Sequence, residues 1–179
     1  MPGHSLFKVN NTVASFSTPV EKDKLRGTHC LLPISVGELS HDVKVHPPQV
    51  GRKFKATIEL INRIPFSFCT ILVDDTIQMA THRILSPEKS DQELYNITLK
   101  LGDKWIEEHR AVYATLAMPY VIKRWDKDVA KNPLFSEGQK KIRAEYASNP
   151  DYRRAFDVNI NQFLDRLEKR GVEFNRDFG

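Results

Sequence analysis

Two rhythms alternate along the chain. Short apolar runs, each long enough for one buried strand, occupy residues 29–36, 66–73 and 120–125. Between and after them, apolar residues return every three or four positions, which is the spacing of one helix face. Val50, Phe54, Ile58 and Ile61 predict an amphipathic helix over 49–62, ended by Pro65. Residues 76–85 fit a short helix. Ser90-Asp91-Gln92-Glu93 reads as a capping box. Behind it Leu94, Ile97, Leu101, Trp105 and Val112 predict a long helix over 87–117, weakly interrupted at Gly102. A polar helix is expected over 136–147. Asn149-Pro150 opens a last helix with a cap residue and a first-turn proline. Tyr152, Phe156, Ile160, Phe163 and Leu167 give that helix an apolar face, and Gly171 closes it.

Strand, helix, strand, helix, strand, helix is the order of an α/β fold with a parallel sheet. Residues 1–27 carry Asn10-Asn11, Pro19 and a charged run, and read as an irregular, poorly ordered leader. Residues 28–179 read as a single α/β domain. Three strands are few for such a sheet. Either small extra strands lie in the leader, or the polypeptide is the front part of something longer.

Composition narrows the class. The chain has 179 residues, 40% hydrophobic and 28% charged, which is ordinary for a globular domain. No apolar run is long enough to cross a bilayer, and no secretory signal is evident, so no membrane partner is expected. Cys30 and Cys69 both fall inside apolar runs and read as reduced core thiols, pointing to the cytoplasm. The formal net charge of +4 permits an RNA partner without demanding one.

Candidate chemistry gathers at strand ends, where parallel sheets collect their ligands. Ser35 closes the first apolar run, and Gly37 lets the chain turn beside it. The same pattern also marks a plain turn. Asp74-Asp75 closes the second run and is a second place for chemistry. There is no Gly-rich dinucleotide loop, Walker A sequence, Gly-x-Ser-x-Gly elbow, His-Glu-x-x-His or Cys-x-x-Cys, so no metal and no cofactor are expected. A serine hydroxyl is a weak nucleophile unless a base or an activated substrate helps it. No histidine is obviously that base: His29 lies in the strand and His41 in a loop. An activated ester is therefore the favoured substrate. The polar face of the long helix mixes Lys100, Lys104, His109 and Arg110 with Asp103, Glu107 and Glu108. It reads either as a solvated surface or as an RNA contact.

Four blocks in order make the chain resemble the tRNA-dependent cyclodipeptide synthases. They are Leu32-Pro33-Ile34-Ser35-Val36-Gly37, then Ile71-Leu72-Val73-Asp74-Asp75, then the charged helix from Ser90 to Ala111. The fourth is Val121-Ile122-Lys123-Arg124-Trp125-Asp126, followed by Asn149-Pro150-Asp151-Tyr152-Arg153. The resemblance covers roughly residues 25–175. It implies a Rossmann-like sheet similar to the catalytic domain of class I tyrosyl- and tryptophanyl-tRNA synthetases. It implies an aminoacyltransferase that uses two aminoacyl-tRNAs in sequence and forms a diketopiperazine through an acyl-enzyme. Ser35 would carry the acyl group. Gly37, Val73 and Trp125 would line the substrate pocket. Lys100, Lys104 and Arg110 would contact tRNA phosphates, as an anionic backbone requires. One branch of the family has Asn three positions after the serine. This chain has Glu38 and resembles the other branch.

The family's Tyr and Glu ahead of a Pro find no counterpart here, and the ending at Asp177-Phe178-Gly179 suggests truncation. Two other readings stay open. One is a non-catalytic module of the same fold that binds tRNA, and the other is a small serine esterase.

Overall fold

A computed structural model of the chain describes residues 7–10, 13–16, 22–36, 51–169 and 171. Gly37, Glu38 and the loop expected over 38–48 lie outside the described residues, as does the ending at 177–179.

The leader is not irregular throughout: it carries the small extra strands that one of the two alternatives supposed, although they form a separate sheet and do not extend the main one. Strands β1 (Phe7–Asn10) and β2 (Val13–Phe16) pair antiparallel, with Phe7 opposite Phe16, and a 3₁₀ turn spans Lys22–Leu25. Four-residue strands are too short to announce themselves by alternation. The hairpin lies along α1.

The main sheet has three parallel strands in the order β3-β4-β5, with β3 at His29–Ser35, β4 at Phe68–Asp74 and β5 at Tyr120–Arg124. Cys30, Leu32 and Ile34 alternate with mostly exposed residues along β3, and Cys69, Ile71 and Val73 alternate with half-buried ones along β4. These six side chains share one face, because successive residues of a strand point to opposite sides. Helix α1 (Gly51–Ile61) covers that face with Phe54, Ile58 and Ile61. Helix α3 (Asp91–Glu108) adds Trp105, and α4 (Arg110–Tyr113) adds Tyr113. Both cysteines are buried in this core and free. Helix α2 (Met79–Leu85) runs between β4 and α3.

The long helix breaks at another place than the sequence suggests. It runs unbroken through Gly102 and stops at His109, whose φ of −104° and ψ of 5° leave the helical region. The His109 ring stacks on Trp105 at 4.7 Å, and its Nε2 accepts the Gly51 N–H at 3.3 Å, tying the start of α1 to the end of α3. At the other end of α3 the expected capping box is formed by Ser90 and Glu93.

Strand β5 stops one residue sooner than expected. Asp128 accepts the Arg124 N–H at 2.8 Å and Lys123 Nζ at 2.9 Å, which folds Trp125–Ala130 into a π-helical turn. Helices α5 (Pro133–Ser148) and α6 (Pro150–Glu168) then form a hairpin hinged on the Asn149 cap. The apolar face expected of α6 is only partly buried: Leu167 is enclosed, whereas Phe156 and Ile160 remain 41% and 49% exposed. They line a groove of about 430 Å³ shared with Ala80, Thr81 and Ile84 of α2.

Candidate active site

Ser35 stands at the carboxyl end of β3, half-buried and in register with Asp74 at the carboxyl end of β4. Parity along the strands decides what surrounds it. Ile34 and Val73 form the register pair just before and point into the core, so Ser35 and Asp74 point together to the opposite face. Further back along that face, Leu31 is 59% exposed. The Gln78 side chain, on the turn after β4, donates to Ser35 Oγ at 3.2 Å. Nothing in the local sequence singled out Gln78, because its position depends on how the 3₁₀ turn Thr76–Gln78 folds back over β3.

The two acids after Val73 have different surroundings. Asp75 is fully buried. Its Oδ1 accepts the Thr76 N–H at 2.7 Å, and its other oxygen accepts Arg124 Nε. Arg124, at the carboxyl end of β5, also binds the Asp103 carboxylate and donates to the Leu99 carbonyl at 3.0 Å. Gly102 makes room for this cluster: a Cβ there would stand 2.7 Å from an Arg124 guanidinium nitrogen and 3.0 Å from Asp75 Cβ. The glycine that read as a weak point in α3 is thus the place where α3 rests on the sheet edge. Asp74, by contrast, has a buried Oδ1 with no hydrogen-bond partner among the described residues. Desolvation first, and the neighbouring Asp75 charge second, push its carboxyl up to about 6.

The other sequence candidates are dispersed. Val73 is fully buried in the core, on the face away from Ser35. Trp125 opens the π-helical turn, two strands from Ser35, with its ring edge-on to Phe135 at 5.3 Å. Lys100 and Lys104 lie exposed on α3, and Arg110 on α4 donates to Glu107 at 2.7 Å. Helix α3 carries Asp91, Glu93, Asp103, Glu107 and Glu108 against those two lysines, so its surface is acidic overall. Among the described residues no cluster of His, Cys, Asp and Glu could hold a metal ion, and no helix is long and apolar enough to cross a membrane.

A serine hydroxyl at the carboxyl edge of a short parallel sheet, with an amide donor on its oxygen and an acid as its register partner, has the groups that transfer of an already activated acyl group needs. No protein-family model matches the sequence, and no curated protein does. Solved structures do match. A cyclodipeptide synthase from Candidatus Glomeribacter gigasporarum, solved bound to Phe-tRNAPhe, superposes with a TM-score of 0.65 at 20% identity, over 88% of this chain and 68% of that one. It establishes the likeness of fold. A cyclodipeptide synthase from Fluoribacter dumoffii superposes with a TM-score of 0.77 at 34% identity, over 90% of this chain and 67% of that one. Identity of that order over so much of both chains makes this chain a member of the cyclodipeptide synthase family.

Proposed function

We propose that this chain is an aminoacyltransferase that joins two amino acids, each delivered as an aminoacyl-tRNA, into a cyclic dipeptide. The observation that carries the reading is the 34% identity to the Fluoribacter enzyme over 90% of the chain. The position of Ser35 supports the mechanism. Its hydroxyl attacks the ester carbonyl of the first aminoacyl-tRNA and becomes acylated, and the tRNA leaves. The amine of the second aminoacyl group then attacks that ester and forms a dipeptidyl-enzyme. Closure of the ring by the free amine releases the diketopiperazine and restores the serine. The ester to tRNA is already activated, so a serine without a neighbouring histidine suffices. The Gln78 amide donating to Oγ fixes the orientation of the hydroxyl.

Aminoacyl-tRNA as partner is supported by the Glomeribacter enzyme, which was solved with Phe-tRNAPhe bound. Lys100, Lys104 and Arg110 are the phosphate contacts in this reading. Lys100 and Lys104 act from an acidic helix and Arg110 is shared with Glu107, so each contributes modestly. Gly37 and Trp125 are the pocket residues in this reading; Val73, which the resemblance also implied, turns into the core on the face away from Ser35 and supports the pocket only from behind.

Expression of the chain and of Ser35→Ala in a bacterium, with mass spectrometry of the medium, tests the reading. A cyclic dipeptide that disappears in the variant is the expected result and names the amino acids. A folded wild-type protein that yields no cyclic dipeptide overturns the synthase reading.

A further inference from the structure

We propose that Asp74 is the proton acceptor for the Ser35 hydroxyl during acyl transfer, an assignment that rests on Ser35 being the acylated residue. Three observations converge. Ser35 and Asp74 are register partners on adjacent parallel strands and point to the same face, so their side chains are nearest neighbours across the sheet. Gln78 donates to Ser35 Oγ and occupies one of its lone pairs, which leaves the hydroxyl proton free for an acceptor elsewhere. Asp74 Oδ1 is a buried acceptor with no hydrogen-bond partner among the described residues. A buried carboxylate oxygen without a partner is costly, so its retention beside a nucleophile needs a reason.

The neighbouring charges are already engaged. On its own strand end, Asp75 is held by Arg124. From β5, Lys123 is held by Asp128 and Arg124 by Asp75 and Asp103. From the turn after β5, Asp126 accepts from Tyr95 at 3.0 Å and pairs with Lys131. The turn after β4 brings the neutral Gln78 to Ser35, and on α2 beyond it Arg83 is held by Asp91. Among the described residues none of these cations pairs with Asp74, and desolvation together with the Asp75 charge raises its carboxyl to about 6. Such a group is ionised at neutral pH yet basic enough to take a proton.

The step balances without a co-reactant. As the Ser35 Oγ–carbonyl bond forms, the hydroxyl proton passes to Asp74. As the bond from the carbonyl carbon to the ribose oxygen breaks, Asp74 returns that proton to the departing tRNA. The same carboxylate is then free for the next turnover.

The test is single-turnover labelling of the full chain, in excess, with bulk bacterial tRNA charged with ¹⁴C-amino acids. Acid quenching and ribonuclease digestion leave only protein-bound label. The wild-type rate is expected to climb between pH 5 and 7 with a midpoint near 6. Asp74→Asn is expected to label at least ~100-fold more slowly and without that midpoint, with Asp74→Glu recovering part of the loss. Its affinity for the charged tRNA should stay within about two-fold, since no phosphate contact is removed.

Asp74→Asn labelling at the wild-type rate, while Ser35→Ala takes no label, overturns the base and leaves the acyl-enzyme standing. A slower Asp74→Asn that keeps the wild-type midpoint also overturns it, because the loss is then structural. A wild-type protein that takes no label overturns both readings together. If Asp74→Asn does not fold, the wild-type profile decides, and a rate independent of pH between 5 and 8 overturns the base.

Discussion

Asp74 and Asp75 are neighbours in sequence and opposites in environment. Asp75 turns under α3 and is saturated by Arg124 and the Thr76 amide, within a cluster that Gly102 and Asp103 complete. Asp74 turns to the face of Ser35 and keeps an oxygen without a partner. The chain gives both positions the same residue, and the one-residue offset sends their charges to different sides of the sheet edge. One carboxylate is consumed in holding a helix to the sheet. The other retains unmet hydrogen-bonding capacity beside Ser35. Full satisfaction marks a structural acid, and incomplete satisfaction beside a half-buried hydroxyl is what an acid available for chemistry would show.

The contrast can be broken from either side. The largest effect belongs to the Ser35 side: Ser35→Ala should abolish covalent label from aminoacyl-tRNA while leaving the melting temperature nearly unchanged. Next, Arg124→Ala leaves the fully buried Asp75 charge unpaired and should cost about 3–5 kcal/mol, read from the urea midpoint. Gly102→Ala is the sharper probe of the same cluster. Alanine in a helix interior ordinarily gains about 1 kcal/mol over glycine. Here the new methyl group meets Arg124 and Asp75, so a loss of about 1–3 kcal/mol is expected, and a gain would refute the packing described.

The smallest effect is the most diagnostic. Asp74 has a folded pKa raised from an ordinary 3.8 to about 6, so the folded chain holds this proton more tightly than the unfolded one. Its contribution to stability is present in full below pH 3.8 and is lost as pH rises through about 6. Asp74→Asn should therefore stabilise the protein at pH 7.5, by roughly 1 kcal/mol after discounting for solvent screening, or about 2–4 °C. At pH 4 the gain should vanish. A loss at pH 7.5 would mean that Asp74 is as structural as Asp75.

Local signals carried much of the fold. The three strands, the helix over 49–62, the Ser90–Glu93 box and the Asn149 cap lie where hydrophobic spacing and cap chemistry put them. The hairpin of β1 and β2 was legible only as the alternative of small strands in the leader, because four residues give too little alternation to place them, and the partial exposure of α6 was not legible because its apolar stripe does not state what faces it. In the site, Ser35 and the acid pair were visible as polar residues ending apolar runs. Arg124 had a faint signal, a basic residue closing one strand as acids close the next. Gln78 had none.

By itself the sequence determined the alternation of strands and helices, the polar ends of the strands and, through its ordered blocks, the family. Each depends on neighbours a few residues apart, or on a pattern preserved whole along the chain. Only the tertiary structure decided which of two adjacent aspartates stands beside Ser35, why α3 has a glycine at its centre, and that Gln78 reaches Ser35. Those outcomes depend on register and on contacts between segments 22–49 residues apart. Spacing along a single strand or helix contains no information about which partner will be brought across.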